Sequence, residues 1–158
     1  MSAIRPLQRE DREPLHRLLA ATGFFTPKEI TIALELIDVV LTKADQKDYI
    51  IFVHDDGRRV LGYYCIGPTP GTDGTFDLYW IAVAPAAQGK GVGTMLDAHA
   101  HEFIRSRGGR LVIAETSSQP RYAPTRKFYL ARGYTEVSCI RDYYRVGDDL
   151  VVYGKYLT

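Results

Sequence analysis

The residues best placed to do chemistry in this chain are the glycines of "QGKGVGT", Gln88 to Thr94. Gly89, Gly91 and Gly93 remove every second side chain just before an amphipathic pattern begins, so a ligand has close access to the backbone. A helix starting near Gly91 offers unpaired N–H groups and the positive end of its dipole. Glycines in front of such donors let a phosphate approach without meeting a Cβ, which makes the stretch an anion site. A loop that merely joined a strand to a helix would gain nothing for the conformational entropy so many glycines cost.

Two familiar phosphate motifs do not fit. A P-loop requires a hydroxyl residue after its lysine, and Lys90 is followed by Gly91. A dinucleotide fingerprint requires G-x-G-x-x-G, and here the third glycine comes one place early, at Gly93.

The flanking segments must position this loop. "AIRPL" reads as a first strand, and Leu15, Leu18 and Leu19 mark a helix ending at Gly23. "TPKE" is a capping box with Thr26 as N-cap, Pro27 at N1 and Glu29 at N3. Ile30, Ala33, Leu34, Ile37, Val40 and Leu41 continue that second helix to about Thr42. Asp56-Gly57 joins two strand-like runs as a hairpin. "FDLYWIAVA" is apolar on both parities, Phe76/Leu78/Trp80/Ala82 and Tyr79/Ile81/Val83, as in a central strand covered on both faces. After the glycines, Val92, Met95, Leu96, Ala100 and Phe103 form a helical stripe that Gly108-Gly109 ends. "RLVIAETSS" is a further buried strand, "PTRKFYLARG" a short helix, and the remainder two strands turning around Gly147-Asp148. The order β-α-α-β-β-β-α-β-α-β-β describes one α/β domain over residues 1–158, with a mixed sheet and a single crossover. A doubly wound nucleotide fold would need several such crossovers.

Composition narrows the function. The chain has 158 residues, 46% hydrophobic and 25% charged, enough for one real core. Twenty basic against nineteen acidic residues leave a net charge of +1, without the field or basic patch a nucleic-acid binder needs. No apolar run is long enough to span a membrane, and the N-terminal residues lack a signal peptide's apolar stretch, so a cytoplasmic location is expected. Cys65 and Cys139 read as small buried strand residues in a reduced compartment. His99 and His101 read as surface or edge residues, and no metal is expected.

Gln88-x-x-Gly91-x-Gly93, after the strand "LYWIAVAP" and before an amphipathic helix, resembles the acyl-coenzyme-A signature of the GNAT (Gcn5-related N-acetyltransferase) superfamily. "TRKFYLARGYTEV" resembles that family's later motif, and the element order matches its fold throughout. The resemblance implies a mostly antiparallel central sheet with helices on both faces and a splayed pair of parallel strands, here "LYWIAV" and "RLVIAE". It implies acetyl-CoA as co-substrate, with its pantetheine arm along Ile81, Ala82 and Val83. The pyrophosphate would lie on the backbone of Gly89, Lys90, Gly91, Val92, Gly93 and Thr94, flanked by Gln88.

By the same resemblance the chain is an N-acetyltransferase acting on a primary amine of a small molecule or peptide, in a ternary complex. Tyr129 occupies the position of the residue that protonates or stabilises the leaving thiolate. Glu115 at the end of "LVIAE" is the general base, with Asp77 or an ordered water as rivals. Desolvation at the rim of the cleft would make Glu115 a better base. A coenzyme-binding module without turnover is the alternative for the same loop, and a homodimer is a form such folds often take. Tyr122 stands where many members carry an asparagine, and Arg126 either reaches a coenzyme phosphate or is an exposed helix residue. Acceptor walls are expected from the first helices, the 68–74 loop and the final hairpin: Phe24, Phe25, Tyr143 and Tyr144 as lining, Arg141, Arg145, Asp142, Asp148 and Asp149 as charges.

Overall fold

The computed structural model describes residues 3–157. Seven strands form one sheet in the order β1-β2-β3-β4-β5-β7-β6: β1 (Ala3–Pro6), β2 (Ile50–Asp55), β3 (Val60–Pro68), β4 (Thr75–Val83), β5 (Leu111–Ser117), β6 (Thr135–Arg145) and β7 (Asp148–Tyr156). Every neighbouring pair is antiparallel except β4 and β5. Helices α1 (Arg12–Ala21) and α2 (Pro27–Thr42) cover one face; α3 (Val92–Ser106) and α4 (Ala123–Ala131) cover the other. Among the described residues no helix is long and apolar enough to cross a membrane.

Side-chain alternation in β3 shows why both faces are covered. Tyr63 and Cys65 pack with Leu15, Leu19, Ala33 and Ile37 beneath α1 and α2. Tyr64 and Ile66 pack with Leu96, Ala100 and Ile104 of α3. A strand apolar on both parities is stable only when each face has its own core. Burial pushes the Cys65 thiol up to about 12, so it is an inert packing group.

The second strand of this central pair departs from simple alternation. Cys65 pairs with Trp80 and Ile66 with Leu78, which leaves Tyr79 as an extra residue in β4. A one-residue bulge reverses the faces of everything beyond it. Phe76 and Leu78 therefore point to the α3 core, whereas Trp80 and Ala82 point to the α1–α2 core. The expected grouping Phe76/Leu78/Trp80/Ala82 is corrected by this bulge, and Tyr79 is turned outward, 39% exposed.

Capping at α2 follows the sequence closely. Thr26 Oγ1 accepts from Glu29 N at 3.1 Å, and Glu29 Oε1 accepts from Thr26 N at 2.9 Å. Other expectations are corrected. Met95 is 46% exposed, because α3 buries Asp97 and His101 beside Val92, Leu96, Ala100 and Ile104. His101 is thus a core residue rather than a surface one. Cys139 is exposed, since it sits on β6, an edge strand whose residues are all exposed. The final turn is held by carboxylates: Asp142 Oδ1 accepts from Gly147 N, and Asp149 Oδ1 accepts from Asp142 N.

Thr26→Ala removes one half of the capping box and is expected to destabilise the fold by about 1 kcal/mol. Urea unfolding should show the midpoint falling with an unchanged slope.

Candidate active site

The site is created by two strands that part. β4 and β5 pair only at Thr75–Leu111, Phe76–Val112 and Asp77–Ile113. Beyond Asp77, β4 stays paired with β3 as far as Val83–Gly62, and β5 stays paired with β7 as far as Ser117–Leu150. Each strand is therefore anchored on its outer side while the inner edges diverge. Gly62 lets β3 follow β4 closely, because a Cβ there would stand 2.7 Å from the Ala82 carbonyl oxygen.

On the α3 side of this opening lies a groove of about 530 Å³, lined by Ile81, Ala82 and Val83, by Gln88, Gly89, Gly91, Val92, Gly93 and Thr94, and by Phe128. The three glycines do different work. Gly89 (φ 75°) and Gly91 (φ 81°) adopt left-handed conformations that L side chains resist. A Cβ at either would meet nothing within 4 Å, so the space above them is open. Gly93 has ordinary helical backbone, but a Cβ there would approach Phe128 Cε1 to 3.2 Å; it permits α3 and α4 to close together. Gly91 is the N-cap of α3 and supplies no side-chain acceptor, and the first turn has no acidic residue. The amides of that turn are left to an outside partner. Gln88 Nε2 donates to Val83 O at 3.3 Å, tying the loop to the open edge of β4. Lys90 is exposed and does not line the groove.

A second cleft, about 450 Å³, opens on the other side. Tyr129 and Glu115 both face it, with Phe24, Phe25, Tyr79, Trp80, Tyr122 and Tyr144 as aromatic walls. The two spaces share Phe24, Phe25, Ile81, Arg121 and Thr125, so they meet at Ile81, midway along the open edge.

Tyr129 is 5% exposed, with its ring between those of Tyr134 and Tyr153, at centroid distances of 5.1 and 5.7 Å. Burial first, then the charge of Asp97, holds its phenol well above the usual tyrosine range. The neighbouring Leu130 is 55% exposed, so α4 turns Tyr129 rather than Leu130 inward. Glu115 is exposed rather than withdrawn from solvent. Asp77 is engaged: its Oδ2 accepts from Thr69 Oγ1 at 2.7 Å and from Tyr79 OH at 3.3 Å.

Several contacts in the cleft are not legible in the sequence. Tyr122 OH donates to Glu29 Oε2 at 3.1 Å, and its ring meets Phe24 edge-on at 4.9 Å. Arg121 lies over the rings of Phe24 and Tyr122. Together these contacts strap the α1–α2 loop to the segment before α4, above the junction of the two spaces. Arg126 donates to Ser117 O at 2.7 Å and Gln119 O at 2.9 Å, so it holds the end of β5 rather than standing free on its helix. Of the expected acceptor walls, Phe24, Phe25, Tyr144, Arg145 and Asp148 line the cleft. Tyr143, Arg141, Asp142, Asp149 and the 68–74 loop do not. Arg145 is ion-paired to Asp148 at 2.9 Å.

Comparison with known proteins agrees with this geometry. Residues 47–136 match the acetyltransferase (GNAT) domain family. A GNAT-family protein from Desulfovibrio desulfuricans is 41% identical over the whole of both chains, with a TM-score of 0.95. The ribosomal-protein-S18-alanine N-acetyltransferase from Escherichia coli shares the fold at 19% identity and a TM-score of 0.77, covering 100% of this chain and 95% of its own. A Salmonella typhimurium protein whose structure holds its cofactor acetyl-CoA is 19% identical with a TM-score of 0.74, covering 99% of this chain and 94% of its own. No curated protein is significantly similar in sequence. A strand pair splayed beside an uncapped, glycine-led helix, together with a family match over more than half its length, makes this chain a member of the GNAT acetyltransferase family.

Proposed function

We propose that this enzyme transfers an acetyl group from acetyl-CoA to a primary amine by direct attack within a ternary complex. The observation that carries the reading is the junction of the two spaces at Ile81. One space has an open strand edge and a helix N-terminus without a cap, suited to a pantetheine arm and a pyrophosphate. The other has an aromatic lining, a carboxylate and a buried phenol, suited to an amine and its proton transfers.

In this reading the pantetheine lies along Ile81, Ala82 and Val83, its amides pairing with the edge that β5 leaves free. Backbone N–H groups from Gly89 to Thr94, through Lys90, Gly91, Val92 and Gly93, take the pyrophosphate, and Gln88 keeps their loop against Val83. Glu115 receives the proton of the acceptor ammonium, directly or through water, while Asp77 is held by Thr69 and Tyr79 in a supporting position. The freed nitrogen lone pair forms the C–N bond at the thioester carbonyl. A backbone donor on β4 stabilises the oxyanion. As the C–S bond breaks, its electron pair goes to sulfur, where Tyr129 OH donates a hydrogen bond; the proton the nitrogen still carries in excess passes to that thiolate through water, leaving the neutral amide and the coenzyme A thiol. A phenol held neutral by burial is a donor across the physiological range. Aromatic walls suit an amine with an apolar or cationic body, small molecule or peptide.

Calorimetry should detect acetyl-CoA binding, and release of coenzyme A should follow when a panel of amino acids, polyamines, aminoglycosides and peptides is supplied. Binding without turnover across the panel would support a coenzyme-binding module, and an absence of binding would sink the reading altogether. Gly91→Ala should weaken acetyl-CoA binding by about tenfold, a loss of ~1.4 kcal/mol. Tyr129→Phe should lower kcat by roughly 100-fold with the amine KM nearly unchanged. Because burial raises the Tyr129 phenol, its protonated form persists as pH rises. The alkaline fall in kcat should therefore begin above the ordinary tyrosine range, and a fall centred near pH 8 would exclude Tyr129 as its source.

A further inference from the structure

The proposed chemistry leaves unused a buried polar cluster directly behind Tyr129. Asp97 and His101 lie one turn apart on α3 and are 2% and 5% exposed; Tyr134, at the start of the chain's return from α4, is 2% exposed. Tyr134 OH donates to Asp97 Oδ1 at 2.9 Å, and His101 Nε2 lies 2.9 Å from the same hydroxyl. The hydroxyl has one hydrogen, which goes to Asp97, so it accepts the second bond and Nε2 of His101 carries a hydrogen. That Nε2 also stands 3.2 Å from Asp97 Oδ1. Three polar side chains are thus satisfied by one another inside an otherwise apolar core, an arrangement that fixes geometry because any displacement leaves a buried group unpaired.

The cluster is joined to Tyr129 twice. Tyr134 N donates to Tyr129 O at 3.0 Å, so the backbone of one follows the other. The two rings also pack at 5.1 Å with an interplanar angle of 55°. Asp97 stands on the helix whose first turn borders the glycine loop, a turn and a half beyond Val92. A simple apolar contact would fill this space equally well, but it would not specify the rotation of α3 against α4.

We infer that the Asp97–Tyr134–His101 cluster is a positioning device that locks the helix receiving the coenzyme to the helix carrying Tyr129. It sets where the phenol stands relative to the thioester sulfur. This inference rests on the role proposed for Tyr129 above. Tyr134 and Asp97 touch neither space directly, so they act through Tyr129 and are positioning residues.

Tyr134→Phe removes the bridging hydroxyl and keeps the ring that packs on Tyr129. In the full-length enzyme it is expected to lower kcat about tenfold while the KM values for acetyl-CoA and amine change less than about twofold. In a Tyr129→Phe background the same substitution should change kcat less than about twofold, because the group being positioned is gone. Asp97→Asn should show the same pattern, and Tyr134→Phe alone decides the matter if the Asp97 variant does not fold. An equal loss in both backgrounds, an unchanged kcat, or a loss expressed in KM alone would overturn the inference. Additive losses with Tyr129→Phe itself impaired would leave the proposed function standing and remove this inference alone. Wild-type turnover by Tyr129→Phe would remove the role of Tyr129 and this inference with it.

Discussion

The candidate site of this molecule depends on two parallel strands that stop pairing. Backbone amides and carbonyls strongly require partners, and a sheet that opens in its middle leaves several without one. The opening persists because each strand is secured elsewhere: β4 to β3 up to Val83, and β5 to β7 up to Ser117. The bulge at Tyr79 contributes by twisting β4 away from its neighbour at the point where pairing ends. In the proposed function, a ligand with amides of its own completes the ladder.

The helix that follows β4 inherits the same logic. α3 begins at a glycine in the left-handed region with no side chain to cap it, so its first amides remain available. Its body, by contrast, is among the most firmly held parts of the fold, with Leu96 and Ile104 fully buried and Asp97 and His101 satisfied by Tyr134. An open end on a fixed rod is a suitable arrangement for binding a charged group without losing affinity to reorganisation. Ligand-ready polarity and rigid packing lie within two turns of one helix.

Much of this was readable from local pattern. The capping box at Thr26 and Glu29 formed as written, because its partners are three residues apart. The same holds for the element order and the glycine loop, since turns and amphipathic stripes are decided within a few residues. Other features were hidden. The bulge at Tyr79 could not be read, because "FDLYWIAV" is apolar on both parities and gives no sign of where its faces exchange. The helical pattern puts Met95 in a buried stripe that Asp97 and His101 occupy instead, since polar residues announce a surface unless their partner is known. That partner, Tyr134, lies more than thirty residues away. The strap between Tyr122 and Glu29 spans a still longer separation.

The sequence by itself determined which segments are helix and strand, where α2 and α3 begin, and that a glycine loop without a side-chain cap leads into α3. Those outcomes follow from side-chain periodicity, capping and glycine's freedom, all of which act over a turn or two of chain. Only the tertiary structure decided that β4 and β5 part after Asp77, that Glu115 is exposed while Tyr129 is buried, and that Asp97, His101 and Tyr134 satisfy one another. These depend on contacts between residues distant in sequence, where burial and hydrogen-bond partners are set by how the layers pack rather than by any residue's neighbours in the chain.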